Sequence, residues 1–188
     1  FIGNFLPGET RVLANLEGKE TSDVTAQDLN NLKAECLFLR ALSHFDLVRT
    51  YAQPYCYTAD ASHLGVPVVL VTDPGAKPAR NTVAEVYTQI VADLLEAEKV
   101  IDPAYVRGSV ADSRGVVSLE VIQALLSRVY LYCEQWQNSA DYAAKVINSG
   151  KYKLWTPAEV EDAQCYAVDV PTGGEVIFEV YGNKANSY

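Results

Sequence analysis

The sequence predicts a mainly α-helical fold, an α-α superhelix of helical hairpins joined by long loops, with at most a little short strand. Three observations carry that prediction. Apolar residues recur at intervals of three and four along three long stretches. Thr25, Thr82 and Ser118 stand where helix N-caps are needed, immediately before those stretches. An alanine-rich segment then follows the third stretch after a short turn, as the return arm of a hairpin does.

The elements follow in order. A short helix is expected over Glu9 to Leu16, ended by Gly18. Thr25 with Asp28 three residues on is a loose capping box, and Leu29, Leu32, Cys36, Leu39, Leu42, Phe45 and Val48 then trace one long helix to about Tyr51. Between Ala34 and Leu42 apolar residues surround nearly the whole circumference, which marks a central helix sandwiched by others. Pro54 stops it. The segment from Gln53 to Asn81 lacks helical period, and within it Gly65 to Val71 reads as extended, confined to an edge by Pro67.

Thr82 with Glu85 is a full capping box for a second long helix carrying Val83, Val86, Tyr87, Ile90, Leu94, Ala97 and Ile101. Asp102-Pro103 closes it. Ser118 caps a third helix with Ile122, Leu125, Leu126, Val129 and Cys133 on one side. A turn around Gln135 and Trp136 leads to a fourth helix from about Ser139 to Asn148, stopped by Gly150. Its inner stripe is expected to be Ala140, Ala143, Ala144 and Ile147, small residues that let two helix axes approach closely, with Trp136 wedged as a packing residue at the turn. Glu175 to Tyr181 alternates enough to suggest a strand. Helix pairs of this size, alanine-rich in the second member and with a tryptophan at the turn, have the pattern of tetratricopeptide-like units, although the regular period is missing.

Composition bounds the function. The 188 residues are 49% apolar and 21% charged, the make-up of an ordinary globule able to bury a core. With 15 Lys plus Arg against 24 Asp plus Glu, the net charge of −9 repels phosphate backbones and anionic lipid surfaces, so no nucleic acid is expected as a partner. No apolar run approaches the ~20 residues that span a bilayer. The chain begins at Phe1 and contains no methionine, so it reads as a fragment; neither a secretory signal nor a lipid-attachment cysteine is visible in it, which says nothing about the parent protein.

Cys36, Cys56, Cys133 and Cys165 form no CxxC pair, and His44 and His63 have no metal-ligand spacing beside them, so neither a metal nor a cofactor is expected. Cys36 and Cys133 sit in apolar helical periodicity and read as core; the state of Cys56 and Cys165 is open. The nucleophile elbow, phosphate loop, dinucleotide fingerprint and HExxH motifs are all absent from the sequence, which names no catalytic residue and gives no support to an enzyme. Glu159, Glu161 and Asp162 in PAEVED read as a solvated helix start. Glu35 and Arg40 fall in the most apolar part of the first long helix and need partners, Asp46 and Arg49 are spaced to pair, and His44 reads as a buried side chain with a satisfied nitrogen. Tyr55 and Tyr57 alternate with Cys56. In an extended segment they would face one side as a platform suited to sugars or peptide backbones, or they pin the loop to the helices. His63 carries the same pair of readings.

Four blocks together resemble the SusD/RagB family of outer-membrane nutrient-binding lipoproteins. They are AECLFLRALSHFDLVRTYAQPY, LGVPVV, RNTVAEVYTQIVADLLEAE and VSLEVIQALLSRVYLYCEQWQNSADYAAKVINSGKYKL. In order and spacing they are similar to that family's amino-terminal region, over about Leu32 to Leu154. The resemblance implies a surface-exposed, outer-membrane protein of Bacteroidetes type, held to the membrane through a lipid anchor outside this fragment. It implies a SusC-like TonB-dependent transporter as partner and a glycan as ligand, or a peptide in the RagB-like branch, with no catalytic step. Tyr55, Tyr57 and His63 are the ligand-binding candidates. Residues 1–188 would then be a single incomplete helical domain, the carboxy-terminal ligand-binding subdomain being largely missing. An intracellular tetratricopeptide-type adaptor gripping a protein partner is the rival reading; it wants a more regular repeat than the Gln53 to Asn81 insertion allows.

Overall fold

The computed structural model describes residues 6–16, 18–73, 75–106, 114–161 and 174–180. Among these described residues six α-helices follow one another: α1 Leu6–Leu13, α2 Ala26–Tyr51, α3 Val83–Val100, α4 Leu119–Tyr132, α5 Trp136–Asn148 and α6 Pro157–Glu161. The mainly α prediction holds, and the three long helices lie where periodicity placed them.

Local chemistry sets their starts. The Thr25 hydroxyl accepts from the Asp28 N–H at 3.1 Å while the Asp28 carboxylate accepts from the Thr25 N–H at 2.8 Å, so the loose motif is a working capping box. Thr82 and Glu85 repeat the arrangement for α3, and Ser118 accepts from Val121 N–H for α4. α1 begins earlier than the sequence suggests and ends at Leu13; Gly18 lies beyond it at φ +68.

α2 is the central helix. Ala34 through Phe38 are buried in succession, which no one-sided helix could show. α2 and α3 run antiparallel, with Lys33 meeting Glu96 near one end and Phe45 meeting Tyr87 near the other. α3 and α4 are likewise antiparallel, since Glu98 meets Gln123 while Tyr87 and Tyr132 both reach Phe45. From α1 to α5 each helix packs mainly against its neighbours in the chain: α1 on α2, α2 on α3, α3 on α4, α4 on α5. The shared core is built from Phe38, Phe45, Val83, Ile90, Leu94, Ile122 and Leu126, all at most 2% exposed. Cys36 and Cys133 belong to that packing, and burial pushes their thiols up to about 11 and about 12. Cys165 and Asp162 lie outside the described residues.

Polar groups inside the bundle find partners. Arg40 donates from Nε and Nη2 to the two Asp93 oxygens at 2.8 and 2.7 Å, and Gln89 Nε2 adds a third bond to Asp93 at 2.7 Å. Tyr105 donates its hydroxyl to Glu35 at 3.1 Å, and Arg49 pairs with Asp46. His44, 1% exposed, bonds the Arg40 carbonyl through Nδ1 and accepts the Val69 N–H at Nε2. Both nitrogens are engaged in the neutral form, and burial lowers its pKa. The acidic stretch is a helix start as expected: Thr156 and Glu159 cap α6, and hydrogen bonds from Lys153 and Thr156 hold the Glu159 carboxyl at about 2.

Four expectations need correction. α5 starts at Trp136 rather than Ser139, and its inner face is Ser139, Tyr142, Ala143 and Val146, while Ala140, Ala144 and Ile147 are exposed. Tyr142 stacks on Tyr130 and donates its hydroxyl to Glu98 at 2.8 Å; an aromatic pair with a satisfied hydroxyl gains more than burial of two alanine methyls, and it sets the rotation of the helix. The close approach of the hairpin rests instead on Ser127 donating to the Ser139 carbonyl at 2.8 Å. Trp136, placed one turn too early to face α4, is 61% exposed and does not pack at the turn.

Residues 174–180 form no strand. Their one backbone bond to the 114 region, from Glu179 N–H to Arg114, is no ladder, and Phe178 is drawn onto Phe38 edge-to-face at 5.3 Å. Tyr181 lies outside the described residues. Among the described residues Gly65 to Val71 joins no sheet; a single bridge pairs Leu64, just before it, with Thr82.

Candidate ligand-binding site

The loop after α2 is fixed at one end of the bundle, where α2 and α4 end and α3 and α5 begin. Its anchor is the first turn of α3. Helix N-termini leave N–H groups without intrahelical acceptors, and here Val83 N–H donates to the His63 carbonyl and Ala84 N–H to the Ala61 carbonyl, both at 2.9 Å. Gly65 N–H donates to Asn81, Asn81 N–H to Val66, and the Arg80 guanidinium to the Leu64 and Gly65 carbonyls. Such close approach requires glycine at 65, because a Cβ there would stand 3.1 Å from Val83 N.

Tyr55 to Tyr57 is a 3₁₀ turn, so the two tyrosines do not share a face as they would in an extended segment. Tyr55 turns inward, half-buried, its ring edge-to-face with Tyr87 at 5.1 Å, and burial raises its phenol pKa. Tyr57 turns outward and is 64% exposed. His63 stands beside it at 5.2 Å between ring centroids. That imidazole is held on both nitrogens, by the Thr58 hydroxyl at 2.8 Å and the Gln53 carbonyl at 3.3 Å. The structure thus brings Tyr57 and His63 together as an aromatic pair, the tyrosine exposed and the imidazole half-buried, while Tyr55 packs apart from it on Tyr87. Cys56 is exposed between the tyrosines as a free thiol.

A second cluster at the same end was not singled out from the sequence. Tyr132, in the last turn of α4, reaches Arg49 of α2 across Phe45, and Arg128 lies one turn back on α4. Its signal was an Arg and a Tyr four apart on one helix, which by spacing alone does not reveal a third residue from another helix.

Among the described residues no group of three His, Cys, Asp or Glu side chains is placed to hold a metal, and no helix is long and apolar enough to cross a membrane. What the arrangement offers is flat aromatic surface with hydrogen-bonding tips, mounted on a rigid helical scaffold. That defines the class: a module of packed helical hairpins. The chain belongs to the SusD-like family, whose model, described as starch-binding and associating with the outer membrane, matches residues 10–131.

No curated protein matches the chain. Among solved structures, a SusD superfamily protein from Bacteroides thetaiotaomicron is similar at 32% identity and a TM-score of 0.81, over 98% of this chain and 38% of that one. A SusD superfamily protein from Bacteroides vulgatus matches at 30% identity and a TM-score of 0.82, over 99% of this chain and 41% of that one. A SusD-like carbohydrate binding protein from Bacteroides vulgatus follows at 28% identity and a TM-score of 0.72, over 84% of this chain and 32% of that one. The chain therefore spans about two-fifths of the length of the first of these structures.

Proposed function

We propose that the chain is the helical part of a glycan-binding protein on the outer membrane of a Bacteroidetes-type bacterium. It serves a SusC-like TonB-dependent transporter in nutrient uptake, binds oligosaccharide without a covalent step, and is tethered by a lipid anchor outside these residues. The observation that carries the reading is its likeness, in sequence and fold together, to a carbohydrate binding protein of the same family. Residues 1–188 are one part of a larger domain whose remainder supplies further ligand contacts, a reading that the partial coverage of the similar structures supports.

Within this part, Tyr57 and His63 are the ligand contacts, while Tyr55 pins the loop on Tyr87. Calorimetric titration of the intact parent protein with maltohexaose and with laminarin oligosaccharides tests this. Tyr57→Ala is expected to weaken binding by about 1–3 kcal/mol with an unchanged melting temperature, as loss of an aromatic anchor does. Tyr55→Ala is expected to lower the melting temperature instead. A parent protein that binds no oligosaccharide overturns the reading.

A further inference from the structure

Tyr132 sits between two guanidinium groups. Arg49 Nη1 donates to its hydroxyl at 3.4 Å, and Arg128 lies one turn back on the same helix, close enough for its charge to be felt by the phenol. All three rest on the buried Phe45 ring: Arg49 lies 4.6 Å and Arg128 5.9 Å from its centroid, and Tyr132 meets it edge-on at 5.2 Å. Arg49 is offset by Asp46. Arg128 is exposed, and among the described residues no carboxylate pairs with it.

Donors exceed acceptors at this spot. Arg49 Nε is buried without a partner, and Arg128 keeps guanidinium N–H groups with no acidic acceptor. The Tyr132 oxygen already accepts from arginine, so its own O–H proton is left to donate outward from a side chain 42% exposed. The Arg49 hydrogen bond and the neighbouring Arg128 guanidinium hold this phenol below its usual range, which makes it a stronger donor. The local excess of positive charge stands on a chain of net charge −9, where an exposed arginine without a carboxylate invites an external one.

We propose that Arg128 and Tyr132 form a carboxylate-binding subsite that selects a uronic-acid unit in an acidic glycan; the proposal rests on the glycan reading above. A planar guanidinium fork donates two parallel N–H bonds to the two oxygens of a carboxylate, and the adjoining phenol supplies a third bond and a ring against which a pyranose can lie. A neutral sugar would use the phenol alone and leave the guanidinium charge unspent.

The test is titration of the parent protein at low and at physiological salt with tetragalacturonate, maltotetraose and tetraglutamate, using wild type, Arg128→Gln and Tyr132→Phe. Arg128 is exposed, so its replacement is expected to leave the melting temperature unchanged. Tetragalacturonate is expected to bind at least tenfold more tightly than maltotetraose, less so as salt rises, and to lose that advantage in both variants. Equal affinity of wild type and Arg128→Gln for tetragalacturonate, or no preference over maltotetraose, overturns the subsite while the glycan reading stands. Tighter, Arg128-dependent binding of tetraglutamate would assign the site to acidic peptide and overturn the uronate proposal. Failure of every sugar to bind overturns both.

Discussion

Arg40 and Asp93 stand in the seam between α2 and α3, with side chains only 11% and 4% exposed. Charges so placed persist because each satisfies the other in a two-bond fork. Asp93→Ala leaves a buried guanidinium unpaired, and the expected loss is about 3–5 kcal/mol by urea denaturation. The double variant Arg40→Met with Asp93→Leu is expected to recover most of it, since two apolar side chains of similar volume need no partner. Trp136 shows the opposite case. Its sequence position suggested a large buried ring, whereas its exposure predicts that Trp136→Ala shifts stability by no more than about 0.5 kcal/mol, read from the same denaturation midpoints. The need of Glu35 and Arg40 for partners was legible because an apolar helical stretch cannot solvate charge. The identity of the partners, Tyr105 and Asp93, was not, because nothing local encodes a contact across so many residues.

At the scale of elements, what was legible is what short-range chemistry decides. Thr25, Thr82 and Ser118 cap helices through bonds that reach only a few residues, so their spacing in sequence is already their geometry. The rotation of α5 was not legible, because alanine contributes little on whichever face it lies, and the tyrosine that settles the matter finds its partners on α3 and α4. The loop of Tyr55 to Tyr57 failed similarly: alternation describes an extended segment only, and the 3₁₀ turn divides the tyrosines into one inward and one outward. The fit of the next loop segment against α3 depends on Gly65. Gly65→Ala sets a methyl group against Val83 N and Val86 Cγ2, both at 3.1 Å. The backbone neighbour cannot retreat without giving up its bond to His63, so the expected cost is about 1–3 kcal/mol. Thermal melts and limited proteolysis between Gln53 and Asn81 check it, with faster cleavage expected in the variant.

At the scale of the molecule, Glu98 joins three helices. From α3 it accepts from Gln123 of α4 and from Tyr142 and Lys145 of α5, at 2.8 to 2.9 Å. Burial alone would raise its pKa, but those hydrogen bonds together outweigh it and hold the carboxyl below its ordinary range. A depressed carboxylate contributes its stability in full above the unfolded-state value, about pH 4.3, and loses it as pH falls toward the folded one. Wild type is therefore expected to lose melting temperature below about pH 4.5. Glu98→Gln should begin lower at neutral pH and show a shallower acid decline.

Because each helix from α1 to α5 leans chiefly on its neighbours in the chain, the molecule behaves as a short row of coupled units rather than as one knot. Units in the middle of a row are held from both sides and those at its ends from one. α5 buries only Ser139 and Val146 outright and is held otherwise by the Tyr142–Tyr130 stack, the Ser127–Ser139 bond and the Glu98 bonds. Amide hydrogen exchange should record this as a gradient, slowest in α2 and α3 and fastest toward α5, with acid steepening it by weakening the Glu98 bonds that hold α5. Equal protection of α3 and α5 at every pH would show that the row unfolds only as a whole.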